Sequence, residues 1–175
     1  MKTNKVVFFL VYSAVFFVMN IPLMALANGD GELAITGSVL ASPCTITPDT
    51  VKGDVNLGKV YTNRLHSAGD ATDWTAFSLN LTECPSTTTK VVVHFTGTSD
   101  PDYPVFFKNT GTSERVAIEV ADDTGTRLSN NSVRNLTVDS QHQAKMDLKG
   151  RMTSPQGEAT SGSVSGVMEL SFDFQ

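Results

Sequence analysis

Residues 163–174, SVSGVMELSFDF, stop one residue short of the end of the chain and alternate with a period of two. Val164, Gly166, Met168, Leu170, Phe172 and Phe174 fall on one side. Ser163, Ser165, Glu169, Ser171 and Asp173 fall on the other, with Val167 as the one apolar exception. A period of two predicts a strand with one face on a core and the other in water. A long strand of this kind needs a neighbour on each edge, and only Gln175 follows it. At the opposite end a second stripe, Leu33, Ile35, Gly37 and Val39, alternates with Ala34, Thr36 and Ser38 ahead of the first cysteine. One end is expected to lack a strand and the other to carry a spare.

Residues 1–27 read as a cleaved signal peptide. Lys2 and Lys5 precede an almost unbroken apolar run over 6–19, Pro22 breaks it, and Ala25-Leu26-Ala27 has the small-x-small form of a cleavage site. The rival reading is a membrane anchor, since 6–27 is just long enough to span a bilayer. Polar Asn20, the proline and the A-x-A ending favour cleavage, which leaves no membrane span in the mature chain. That chain has 148 residues, enough for one domain with a sizeable core. Residues 28–41 are assigned to an N-terminal arm and 42–175 to the domain.

The leader carries two basic residues and no acidic ones, so the mature chain sets eleven Lys and Arg against eighteen Asp and Glu, a net charge of −7. With no Lys/Arg cluster, this excludes nucleic acid and anionic membrane surfaces as natural partners. Export to an oxidising compartment predicts that the two cysteines, Cys44 and Cys84, form a disulfide. Closing a loop of that length contributes roughly 4 kcal/mol in the chain-entropy description.

Helical periodicity is missing from the mature chain. Short alternating runs punctuated by Gly, Pro, Asn, Asp, Ser and Thr predict an all-β sandwich of about seven to nine strands. The runs begin at Cys44, span 55–61, and continue through Phe77/Leu79/Leu81, Val91/Val93/Phe95 and 105–107. Val116/Ile118/Val120, Leu136/Val138 and Ala144/Met146/Leu148 follow, with the terminal strand last. An antibody-type domain is excluded. The cysteines are too close together, and Thr82 stands where such a domain has a tyrosine two residues before the second cysteine.

No enzyme chemistry is legible. His66, His94 and His142 have no partner at metal-ligand spacing, and no triad or nucleophile motif is present. Asp100-Pro-Asp102 and Asp122-Asp123-Thr-Gly125 do not match a calcium loop and sit where turns want Asp and Gly. No cofactor, metal or catalytic residue is predicted. The glycosylation-type triplets at Asn80, Asn130 and Asn135 are short enough to arise by chance.

Several features together resemble the chaperone–usher pilins. Gly162 is fourteenth from the C-terminus and Phe174 penultimate, sixteen mature residues precede Cys44, and the N-terminal arm alternates. The stretches LAITGSVLASPC (33–44), HSAG (66–69) and LNLTECP (79–85) are similar to the G-type minor tip subunits of type 1 fimbriae. The resemblance implies an immunoglobulin-like sandwich lacking its final strand, completed first by a periplasmic pilus chaperone. In the fibre, the arm of a neighbouring pilin subunit takes the chaperone's place after passage through an outer-membrane usher. It implies a structural subunit of a cell-surface fimbrium that supports cell adhesion, a minor tip or adaptor pilin. The alternatives are a major shaft pilin or a single-domain adhesin binding a host receptor; the latter is expected to lack a donor arm.

On that resemblance Leu33, Ile35, Gly37 and Val39 are the donor strand. Gly162, Val164, Met168, Leu170, Phe172 and Phe174 are the acceptor groove and chaperone contact. Gly37 reads either as a flexible point in a strand or as the match to a shallow part of the groove. Burying three aliphatic donor side chains yields roughly 5–9 kcal/mol, while ordering the arm costs about 1–2 kcal/mol per residue. Side chains alone therefore do not hold the joint; completing the acceptor's core and both backbones must supply the remainder.

Overall fold

The computed structural model describes residues 36–47 and 53–175. Within it the compact unit runs Ser38–Gln175. Ten strands are present among the described residues: β1 (Thr45–Ile46), β2 (Asp70–Ala71), β3 (Thr75–Thr82), β4 (Lys90–Gly97), β5 (Phe107–Lys108), β6 (Ala117–Asp122), β7 (Arg127–Leu128), β8 (Ser132–Thr137), β9 (Ala144–Ser154) and β10 (Met168–Phe174). A single 3-10 turn, Thr62–Leu65, is the one helical element among the described residues. Four strands are two residues long, which accounts for the excess over the count expected from sequence.

The strands form two antiparallel sheets. The larger has the order β1-β3-β9-β6-β5, with β2 also paired to β9 and β7 to β6; the smaller has the order β10-β4-β8. Alternation works as predicted where both faces are defined. In β3, Leu79 and Leu81 turn inward; in β4, Val91, Val93 and Phe95 do so; in β9, Ala144, Met146 and Leu148 meet them. Cys44 and Cys84 are bonded at the edge of this core. A smaller cluster of Leu65, Val116, Met152 and Ala159 sits beside it, partly covered by Leu57, Val60 and Val164.

The outer face of the large sheet is held by charge. Glu119 on β6 is buried and accepts 2.7 Å hydrogen bonds from Arg127 on β7 and Arg151 on β9. Arg151 also lies 4.2 Å over the ring of Trp74, and Arg127 lies 4.9 Å over Phe106. The lone tryptophan thus covers a cation on the outside of the sheet and takes no part in the core.

The expected acidic turns are turns. Asp100 Oδ1 accepts the amides of Asp102 and Tyr103, and Asp122 Oδ1 accepts the Thr126 amide while Gly125 takes a positive φ. Two expected strands differ. Residues 55–61 carry a strand-like pattern but join no sheet among the described residues. The terminal strand begins at Met168, not at Ser163, because the preceding residues bond to the loop between β5 and β6, where Ser163 O accepts the Ser113 amide and Ser165 O accepts the Thr110 amide.

Candidate functional site: an apolar cleft beside an open strand edge

β10 is an edge strand. Its seven residues pair with β4 from Met168↔Gly97 to Phe174↔Val91, and no other described strand lies on its far side. In an antiparallel ladder every other residue directs its N–H and C=O away from the partner, so one edge of β10 is open. Met168, Leu170, Phe172 and Phe174 alternate with exposed Glu169, Ser171 and Asp173. The four apolar side chains pack on the core yet stay only half-buried. They are the uncovered flank of the core itself.

Lining the same cleft with this strand are Ile46 on β1, Phe77 and Leu79 on β3, and the segment 53–61. Between these walls runs a cleft of 1960 Å³, floored by Ile118, Val120, Leu148, Gly150 and Met152. From 53 to 60 the only backbone hydrogen bond among the described residues is from the Gly58 amide to its own neighbour, Asn56 Oδ1, at 2.9 Å. The cleft thus mixes apolar and polar lining, and along both rims the backbone has no sheet partner among the described residues. Chemically it can hold an extended peptide: two rims for hydrogen bonds, and a row of alternating positions for side chains.

The other predicted groove residues mark its end. Val164 lines the cleft and covers the small cluster around Leu65 and Met152. Gly162 also borders the cleft and passes tightly over the backbone of Thr112 and Ser113. Asn109 ties this crossing together: its Oδ1 accepts the amides of Gly111 and Ser165, and its Nδ2 donates to Ser113 O. Of the predicted donor residues, Leu33 and Ile35 lie outside the described residues. Val39 is fully exposed, and a side chain at Gly37 would meet no atom within 4 Å.

Sequence reasoning overlooked Leu57, Phe77, Ile118 and Gly150 as cleft residues. The available signal was the 55–61 run: a strand pattern ending in a 3-10 turn, with nothing adjacent in sequence to pair with it. The histidines sit on separate elements. His94 Nε2 lies 2.9 Å from Asp173 Oδ2 across β4 and β10, His142 occupies a turn, and His66 caps the 3-10 turn.

The family model for fimbrial proteins matches residues 33–175, the whole of the domain just described and most of the arm before it. The chain belongs to the fimbrial protein family. Its relatives include the uncharacterised fimbrial-like protein YdeR of Escherichia coli K12, 34% identical over 86% of this chain and 88% of that one. Protein FimG of the same strain is 32% identical over 87% of this chain and 92% of its own length. The fold of this pilin is similar to that of the P pilus rod subunit PapA, with a TM-score of 0.65 at 18% identity, covering 77% of this chain and all of that one. The protein is therefore an all-β, immunoglobulin-like pilin of the chaperone–usher class and a structural subunit, not an enzyme. Pilin relatives imply assembly with other pilin subunits into a surface fimbrium.

Proposed function

We propose that this pilin polymerises by donor-strand exchange. Its cleft accepts a β-strand from the N-terminal arm of one neighbour, and its own arm, through Leu33, Ile35, Gly37 and Val39, fills the cleft of another. The observation that carries this reading is the pairing of this cleft with open backbone along β10 on one rim and along 53–61 on the other. An inserted strand satisfies both rims and covers Met168, Leu170 and Phe172 in one step. An uncovered edge of this kind promotes aggregation, so a periplasmic chaperone is needed to occupy it before an outer-membrane usher hands the subunit on.

Within the fibre, a minor tip or adaptor position that supports adhesion is favoured by the resemblance of 33–44, 66–69 and 79–85 to the G-type minor tip subunits of type 1 fimbriae. Residues 1–27 act as the export signal, 28–41 as the donor arm and 42–175 as the accepting domain. The test uses two variants in cells assembling the fimbria. Ile35→Asp leaves the soluble chaperone complex intact and stops addition of the subunit to its neighbour. Loss of residues 171–175 abolishes recovery of soluble periplasmic protein. Normal incorporation of the first, or undiminished yield of the second, refutes the assignment of arm or cleft respectively.

A further inference from the structure

A strand at the edge of a sheet offers unpaired backbone to any other chain. Proteins blunt such edges by shortness, by proline, by a bulge or by a charge turned inward. The described sheets end in four strands. β1 and β5 are two residues each, too short to template a partner. β10 and β8, at seven and six residues, flank β4 on either side in the small sheet. β8 has no proline, no glycine and no slip in its pairing from Lys90↔Thr137 to Phe95↔Ser132. No described strand lies on its far side. The Val138 amide donates to Thr89 O, which sets the ladder: Ser132, Arg134 and Leu136 bond to β4, while Val133, Asn135 and Thr137 direct their backbone groups away from it. These last three residues are exposed, Val133 to 45%.

What separates the two long edges is the row of side chains on the core-facing parity. On β10 that row is Met168, Leu170, Phe172 and Phe174, apolar throughout. On β8 its middle member, between Ser132 and Leu136, is Arg134. Arg134 Nε donates to Asp122 Oδ2, at the end of β6 in the other sheet, at 3.2 Å. Its Nη1 donates at 3.0 Å to Val133 O, one of the outward carbonyls that an added strand would need. The two side chains are only 27% and 10% exposed. We infer that Arg134 closes β8 to strand addition and so confines addition to β10. The inference rests on the strand-acceptor reading of β10 and adds the device that makes acceptance one-sided. A subunit accepting at both edges would cross-link where one accepting at a single edge adds a single strand. The occupant shut out is β8 of a second copy, since a two-fold antiparallel pair centred on Asn135 would set Val133 of each copy against Thr137 of the other and oppose no like charges.

The test follows the mature subunit by sedimentation equilibrium over a range of concentrations, its cleft filled by one of a set of peptides patterned on residues 31–41 so that β10 is covered. Wild type is expected to stay monomeric. Arg134→Ala shifts from monomer towards dimer as concentration rises, and amide exchange at Val133, Asn135 and Thr137, open to solvent in wild type, slows in the dimer. Arg134→Leu keeps the position filled and apolar, associates in the same way, and decides the matter if Arg134→Ala fails to fold. Adding Asn135→Pro removes one outward amide without touching the β4 ladder and returns either variant to monomer. Association through unfolded chain would survive that addition. Monomeric behaviour of the folded Arg134 variants, or association that persists with Asn135→Pro, overturns the role of Arg134 while leaving β10 as the acceptor. Failure of every peptide to bind wild type removes the acceptor reading and this inference together.

Discussion

Gly162 crosses Ser113 so closely that no side chain can be placed on it. A Cβ there would overlap the Ser113 amide and stand 2.6 Å from the Thr112 carbonyl carbon. The obstruction is backbone and cannot rotate aside. Gly111 has the reciprocal constraint, since a Cβ on it would lie 2.6 Å from the carbonyl carbon of Ser163. The crossing pins the connection between β9 and β10 to the loop after β5, beside the cleft that Gly162 borders.

Gly162→Ala is therefore expected to destabilise the domain by about 1–3 kcal/mol, the range for forced overpacking. Gly37→Ala, in open surroundings, leaves domain stability unchanged. Thermal unfolding of the mature subunit with a bound donor peptide compares the two. Equal midpoints for Gly162→Ala and wild type contradict the crossing.

This explains how far the sequence could be read. Strands with one buried face announced themselves: Phe77/Leu79/Leu81 and Val91/Val93/Phe95 alternate because each position faces either core or water. The same rule overextended β10. Val164 and Gly166 keep the period of the strand that follows, yet Ser163 and Ser165 spend their backbone groups on Ser113 and Thr110. Periodicity reports which face a side chain takes and says nothing about which segment receives the hydrogen bonds. The cleft was legible from its β10 side, whose stripe is local. Its floor was not, because Ile118, Gly150 and Leu57 are brought together only by pairing across distant strands.

The disulfide ties the residue before β1 to the end of β3. Cys44 is bonded to Cys84 across a separation of 40 residues, and next to it Thr88 Oγ1 donates to Ser42 O at 2.7 Å. Replacing both cysteines by serine is expected to cost about 4 kcal/mol, read as a lowered denaturant midpoint. It should also loosen β1, seen as faster amide exchange at Thr45 and Ile46. A midpoint within error of wild type would show that the core holds this end unaided.

Glu119 joins three strands through two arginines and is only 5% exposed, whereas Arg127 and Arg151 are 46% and 28% exposed. Glu119→Ala leaves both guanidinium groups facing each other without a counter-charge. The expected loss is about 2 kcal/mol, less than for a fully buried pair because water reaches the arginines. Arg127→Ala alone is expected to cost under about 1 kcal/mol. Urea unfolding of the two variants gives the ranking, and a larger loss for Arg127→Ala reverses the argument.

Asp122 gives the domain a pH dependence of definite sign. Burial pushes its carboxyl up. The Thr124 hydroxyl, the Thr126 amide and Arg134 outweigh this, and the net effect holds it below the usual carboxylate range. A group whose pKa is depressed by folding contributes stability that is present above its unfolded value, about 3.9, and is lost as pH falls through the folded value. Asp122→Asn is therefore less stable than wild type at neutral pH, and the gap narrows below about pH 4 as the native carboxylate takes up its proton. Unfolding midpoints across that acid range decide it: a gap constant with pH would assign the loss to the turn's geometry and not to the charge.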